Sequence, residues 1–362
     1  MRILFGVCSW GLGHAARALP LIKRMLQSGH ELTVVSKGRP LDFIKKELGE
    51  KCIYYEIADY SPAYSEKAFS VAKFVAKFPL YLTEVSKENQ KIKQLVSCNG
   101  YDRVISDSRF GVYHPKIASF LIFHQLRFIA PGRVKIFERA TEGFNYLSGD
   151  NFKKILVPDL ESEDLNLSGD LSHNLKYFKK EKVEYLGLLC DLKKSEVPIP
   201  QDVDYFISLS GPEPQRKTLE KKIISQLPAL KGKVVVTLGK PEEKEHICYQ
   251  NVEIFSYLNR KKQEEMMNRS RLVITRSGYT TLMELAVLGK KALLIPTPGQ
   301  TEQIYLAEYH LRKGNFYSVS QERLNLFRDV IEAKKYPGIS LDISPEEAEE
   351  RFMQVVFDEG GR

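Results

Sequence analysis

The sequence predicts an α/β protein built as two similar halves, each a parallel sheet with helices on both faces. Three observations predict it. Short apolar runs of strand character alternate with segments of helical periodicity along the chain. A polar, proline-containing stretch, DLKKSEVPIPQDVD at 191–204, separates two such series. The 362 residues are enough for two hydrophobic cores. The expected organisation is a domain at 1–190, a linker at 191–204, a second domain at 205–342, and a terminal helix within 343–362 able to pack back on the first domain.

In the first half, residues 2–7 read as a strand, 15–27 as a helix and 31–35 as a second strand. Residues 103–106, 119–123 and 154–157 read as further strands. The second half opens with a strand at 205–209, a helix at 214–226, and strands at 233–238 and 253–255. A strand at 272–274, a helix at 280–288 stopped by Gly289, and a strand at 292–295 ended by Pro296 follow. The tail 345–357 reads as a helix with Ser344 as N-cap before two glutamates. The stretch 68–82, AFSVAKFVAKFPLYL, is apolar with Lys73 and Lys77 four apart, and Lys87, Lys91 and Lys93 follow. It reads either as a basic amphipathic helix for anionic lipid or as a core helix with lysines on its wet face.

Composition narrows the function classes. With 43% hydrophobic residues and no apolar run long enough to cross a bilayer, the expectation is an ordinary soluble chain. Met1-Arg2 leads straight into a strand, so no signal peptide is read and the expected location is cytoplasmic. Cys8, Cys52, Cys98, Cys190 and Cys248 are scattered without C-x-x-C spacing, against a disulfide framework or a cysteine-rich zinc site. A net charge of +8 suits an anionic substrate or an anionic membrane surface. No nucleic-acid motif is present, and no nucleic-acid partner is expected. Asp202-Val203-Asp204 has no third ligand at useful spacing and reads as solvated linker carboxylates; no metal is expected.

The stretch from 273 to 303 carries the strongest functional signal. Arg276-Ser277-Gly278 breaks a buried strand and opens a helix, so Ser277, Gly278 and a helix N-terminus sit at a strand's carboxyl end. Open α/β sheets bind ligands there, and free N–H groups with the helix dipole suit a phosphate. Glu284, two turns into the helix, can accept hydrogen bonds from ribose hydroxyls. Glu302 and Gln303, in the polar loop after Pro296, can grip sugar hydroxyls. A generic βαβ unit with an ordinary loop serine is the plain alternative.

These residues resemble the donor half of GT-B glycosyltransferases, most of all the family 28 transferase that adds N-acetylglucosamine to a lipid-linked peptidoglycan precursor. Arg276, Ser277, Gly278, Glu284, Pro296 and Gln303 match that family in order and spacing. Glu302-Gln303 also matches the acidic residue and glutamine that end the UDP-glycosyltransferase motif. The resemblance implies the GT-B architecture, two Rossmann-like α/β domains facing a cleft. It also implies that Ser277 and nearby amides meet diphosphate, Glu284 the ribose, and Glu302 and Gln303 the donor sugar. The loop Ser208-Leu209-Ser210-Gly211 stands where the family has a Gly-Gly-Ser-type turn, which makes Ser210 and Gly211 diphosphate candidates. Pro212 and Pro214 depart from that turn, and each removes an N–H donor. Residues 251–258 lie where the family reads uracil through backbone groups.

The first strand runs into Cys8-Ser9-Trp10-Gly11-Leu12-Gly13-His14, a glycine turn under a helix. Gly11 and Gly13 with Ala16 also match a loose dinucleotide fingerprint. The acid that fingerprint wants after strand two is missing from Val35-Ser36-Lys37. Lys37 or Arg39 could serve a phosphorylated ribose, so an NADP oxidoreductase stays as an alternative. His14 favours the transferase, whose relatives carry a Gly-x-Gly-His turn here, facing the cleft. An inverting transfer needs a base for the acceptor hydroxyl; His14 is the first candidate and Asp107 the competitor. An N-cap or a buried anchor is the bland reading of each. His124-Gln125 stands where the family has a His-Glu-Gln stretch near the acceptor.

The expected function is therefore an inverting, metal-independent transfer of a hexose or N-acetylhexosamine without cofactor. The donor is a UDP-sugar or dTDP-sugar and the acceptor a hydroxyl of a lipid-linked or cell-envelope glycan, with peripheral membrane contact allowed. A nucleotide-sugar hydrolase or 2-epimerase on the same fold would share the diphosphate site. A silent nucleotide-binding subunit would lack the histidine loop.

Overall fold

The structure, a computed structural model, describes residues 1–60, 70–130, 132–341 and 343–358. Residues 68 and 69, the start of the predicted lysine-bearing helix, and 359–362 of the predicted tail lie outside the described residues. The chain forms two compact units. One takes residues up to Asp191 together with the segment from Ser344, and the other runs Leu192–Ile343.

The first unit contains β1 (Arg2–Val7), α1 (Leu12–Gln27), β2 (Glu31–Ser36), α2 (Gly38–Leu48), β3 (Ile53–Glu56) and α3 (Val71–Asn99). Then come β4 (Arg103–Asp107), β5 (Ser119–Ile122), α4 (Lys135–Gly149), β6 (Lys154–Val157) and β7 (Val183–Tyr185). The sheet has the order β3-β2-β1-β4-β5-β6-β7 with parallel pairing throughout. In β1 the period-two pattern serves two cores, as a strand buried on both faces requires. Ile3, Phe5 and Val7 join the cluster around Leu19, Ile22 and Met25 of α1, while Leu4 joins Ile92, Val96 and Val104.

The second unit contains β8 (Val203–Ser208), α5 (Gln215–Ile224), β9 (Val234–Thr237), β10 (His246–Tyr249), β11 (Val252–Phe255), α6 (Arg260–Arg269) and β12 (Ser270–Thr275). It continues with α7 (Tyr279–Leu288), β13 (Ala292–Leu294), α8 (Thr301–Arg312), β14 (Tyr317–Ser318) and α9 (Leu326–Ala333). Its sheet order is β10-β11-β9-β8-β12-β13-β14, with β10 antiparallel to β11 at the edge. Ile207, Val236, Ile274 and Leu293 share one core cluster. Gly289 ends α7 in the left-handed conformation at φ 62°, where a glycine costs no Cβ clash.

The last helix, α10 (Pro345–Phe357), belongs to the first unit, and Ser344 caps it by accepting from Glu346 N–H. Ala348, Phe352 and Val356 enter the cluster that holds Leu19 and Ile22. Phe357 stacks on His30 at 4.4 Å.

Several expectations need correction. Helix α1 starts at Leu12, so Gly13 and His14 lie on its first turn and not in a loop. Glu302 and Gln303 likewise stand in the first turn of α8. Asp202 and Asp204 are not simply solvated. Asp202 takes two hydrogen bonds from Arg269, at 2.8 and 2.6 Å, and Asp204 pairs with Arg271 at 3.2 Å. The lysine-bearing segment is part of the single long helix α3, whose buried residues, Glu88, Asn89, Ile92 and Val96, all lie in its C-terminal half. Its N-terminal half leans Phe74 on Phe137 and Phe78 on Phe144, while Val75, Leu80 and Leu82 are exposed.

Candidate active site

In each sheet the strand order reverses at one point, between β1 and β4 and between β8 and β12. Crevices open at the carboxyl ends of the strands on either side of such a reversal. In the first unit, β1 delivers the turn into α1 while β4 ends at Asp107, and Cys8 N–H donates to the Asp107 carbonyl at 3.1 Å. The stagger places His14, on the first turn of α1, beside Asp107. His14 Nδ1 lies 2.8 Å from Asp107 Oδ1.

Arg17, one turn further along α1, completes the cluster, and its residue spacing puts it on the same helix face as His14. Its Nε donates to Asp107 Oδ2 at 2.7 Å, and its Nη2 donates to Asp107 Oδ1 and to Ser108 Oγ. Both Nη2 hydrogens are thereby used, so the contact at 2.9 Å between Nη2 and His14 Nδ1 supplies no proton to the ring. In the tautomer with its proton on Nδ1, that proton points at Asp107 and Nε2 is the basic nitrogen. Arg17 Nη1 lies 2.8 Å from His124 Nδ1, so that ring accepts there and carries its proton on Nε2.

Asp107 is fully buried, which opposes ionisation, yet the Arg17 guanidinium and His14 hold its carboxyl well below the usual carboxylate range. Both Asp107 oxygens are engaged, Oδ1 by His14 and Arg17 and Oδ2 by Arg17. The sequence reading missed Arg17, although its position three residues after His14 was a usable signal. Gly11 has φ 175°, ordinary extended backbone, and a Cβ there would meet nothing. The turn therefore does not require glycine at 11. His124 joins the cluster, whereas Gln125 contributes its backbone carbonyl to Asn145 at 3.2 Å. His173 is buried and lies 3.2 Å from Asp159.

In the second unit, Gly278 is the N-cap of α7 and gives no side-chain cap, and the positive end of the helix dipole stands just past the carboxyl end of β12. Ser277 is buried, and its hydroxyl donates to the Gln303 carbonyl at 2.7 Å, tying α8 to the β12 loop. Gln303 Oε1 accepts from Thr297 N–H at 2.9 Å, and its Nε2 lies 3.8 Å from where a Gly278 Cβ would stand. The structure thus brings Ser277, Gly278 and Gln303 together. Glu284 is buried and receives a hydrogen bond at 2.8 Å from Arg260 on α6, so one of its oxygens is already occupied.

Arg276, matched with the donor half of the family, turns its guanidinium inward. Its Nε donates to Ser210 O, Nη1 to Ile295 O and Pro296 O, and Nη2 to Gln215 O and Gln321 Oε1. All five guanidinium hydrogens have acceptors within the unit, so none is left for a phosphate. Burial lowers its pKa to about 10, still well above neutral pH. Arg276 is a brace for the loops that follow β8 and β13. Gly211 approaches that brace closely, at φ 113°, with Thr297 Oγ1 3.6 Å and Arg276 Nε 3.8 Å from the position of a Cβ. Thr297, which the sequence reading passed over, is almost fully buried, yet its hydroxyl has no hydrogen-bond partner among the described residues. A buried orphan hydroxyl costs free energy, and a ligand oxygen would relieve it.

Comparison with known proteins fits this geometry. The profile of the glycosyltransferase family 28 C-terminal domain matches residues 214–334, and that of glycosyl transferase family 1 matches residues 1–126. The chain is a glycosyltransferase of the GT-B fold. An uncharacterized glycosyltransferase of Methanosarcina mazei is 24% identical to it over 93% of this chain and 91% of that protein. A solved glycosyltransferase of kitacinnamycin superposes with a TM-score of 0.64 at 14% identity, over 97% of the transferase and 93% of that chain. A Listeria monocytogenes protein described as a candidate UDP-N-acetylglucosamine 2-epimerase gives 0.61 at 12% identity, over 100% and 98%. Among the described residues of the transferase, no helix is long and apolar enough to cross a membrane.

Proposed function

We propose that the transferase moves a hexose or N-acetylhexosamine from a UDP-sugar or dTDP-sugar to an acceptor hydroxyl with inversion, and that His14 is the base. The observation that carries this reading is the His14 Nδ1 contact with Asp107 at 2.8 Å. It holds the ring with Nε2 available for the hydroxyl proton. The acceptor oxygen attacks the anomeric carbon as its proton passes to Nε2, and the bond to the diphosphate breaks. Asp107 stabilises the resulting imidazolium. The N-terminus of α7 and its dipole meet the leaving diphosphate, with Thr297, Ser277, Ser210 and Gly211 as further contacts, Glu284 on the ribose, and Glu302 and Gln303 on the sugar. Val75, Leu80 and Leu82 exposed among Lys73 and Lys77 on α3 support a lipid-linked acceptor and peripheral contact with an anionic bilayer.

The test is a panel of UDP- and dTDP-sugars read by thermal shift and by anomeric NMR of the product. A nucleotide at a hundred times its dissociation constant should add about 2.7 kcal/mol of stability. Glu284→Ala should weaken UDP binding by roughly tenfold to a hundredfold, the worth of charged hydrogen bonds at about 1.5–3 kcal/mol. Unchanged affinity would place the donor elsewhere. An α-linked donor should give a β-linked product; a retained anomer would rule out single displacement. Turnover of the nucleotide-sugar with no acceptor present would favour the hydrolase or 2-epimerase reading.

Thr297→Val gives an independent check, because valine copies the shape and removes only the orphan hydroxyl. The ligand-free protein should lose no stability, while nucleotide affinity falls about tenfold, the roughly 1.5 kcal/mol of a hydrogen bond to a charged group. Loss of stability without loss of affinity would mean that the hydroxyl serves the fold.

A further inference from the structure

The outer hairpin of the second unit carries a cluster of side chains to which no step of the transfer has been assigned. His246 and Cys248 alternate along β10 and therefore share one face. Glu253 on β11 stands directly opposite Cys248 in the antiparallel register, and Phe255 stands opposite His246. Such cross-strand pairs place side chains within reach of one another. Phe255 stacks on the imidazole at 4.1 Å and 9°, which fixes the ring plane. His246 Nε2 then lies 3.3 Å from Cys248 Sγ and 3.9 Å from Glu253 Oε2. The three ligand atoms all fall within 4.8 Å of one another.

We propose that His246, Cys248 and Glu253 form a binding site for a divalent cation of the zinc class. Tetrahedral zinc holds nitrogen and carboxylate oxygen at about 2.0–2.2 Å and sulfur at about 2.3 Å, so its ligand atoms stand roughly 3.3–3.6 Å apart. The observed separations need only small side-chain rotations to reach that arrangement. A nitrogen, a sulfur and an oxygen suit zinc or cobalt and do not suit magnesium or calcium, which take oxygen alone. Lys233 lies 3.3 Å from Glu253 Oε1, the other carboxylate oxygen, and so orients Oε2 toward the site. All four β10 residues are exposed, which gives the ion an entry path and leaves its fourth position to water. On binding, the Cys248 thiol gives its proton to solvent and the thiolate takes the metal. The bound ion would pin the edge strand β10 to β11.

Cobalt titration of the untagged, chelator-stripped full chain tests the site. A thiolate-to-cobalt charge-transfer absorption should saturate at a single equivalent and be displaced by zinc. Cys248→Ser should abolish it, while Cys98→Ser, at the other exposed thiol, should leave it intact. His246→Ala and Glu253→Gln should weaken cobalt binding by at least tenfold, the minimum that loss of even an outer partner costs. Absence of the absorption in the wild-type chain, or its survival in Cys248→Ser, would overturn the proposal.

Discussion

His14→Ala is expected to lower the transfer rate by roughly 10²–10⁴ while leaving nucleotide affinity unchanged. The factor is the usual contribution of a positioned general base. Affinity should hold because His14 belongs to the first unit, whereas the proposed nucleotide contacts belong to the second. Asp107→Asn should lose a comparable factor for a different reason. An amide can present its NH₂ to Nδ1, which moves the imidazole proton to Nε2 and removes the base. The two variants should be much less than additive when combined, since each disables the same nitrogen. Steady-state rates of both, with UDP affinity measured alongside, decide the point. A near-normal rate in His14→Ala would return the proton to the acceptor itself or to solvent.

Arg276→Ala is expected to destabilise the second unit by about 3–5 kcal/mol. Five acceptors lose their donor at once, and a buried acceptor left unpaired costs about 1–3 kcal/mol before water recovers part of it. Arg276→Lys should recover only a fraction, because a compact ammonium with three donors cannot span carbonyls from four segments. Urea unfolding of both variants measures this. If Arg276 instead held the diphosphate, stability would stay level and nucleotide affinity alone would fall.

The sequence made the sheet frames legible because their strands are short, apolar and separated by clear turns. The runs around Ile3, Ile105 and Ile274 fall inside observed strands within a residue or two of the expected bounds. The unread strands, such as β3 and β10, are exposed or peripheral and lack that signal. At the site, order along the chain pointed to Ser277 and Gln303, which the structure brings together. It could not reveal that Arg276 spends four of its five donors on backbone carbonyls and the fifth on distant Gln321, because backbone acceptors leave no mark in a sequence. Arg17 was hidden for a related reason, since its partner Asp107 lies on a strand 90 residues away.

The first unit is closed by residues from both ends of the chain, and this has a consequence for how the molecule is made. During synthesis the surface of Leu19, Ile22 and Met25 that meets Phe352 and Val356 emerges early. Its cover comes only after the second unit has been translated. Between Asp191 and Pro345 lie about 150 residues, which a ribosome adds in roughly 8–30 s at about 5–20 residues per second. For that interval the apolar surface of the nascent first unit lacks the cover that Ala348, Phe352 and Val356 supply. A truncation that stops at the unit boundary makes the interval permanent, so fragments meant to isolate the His14 lobe should have α10 grafted back by a short linker.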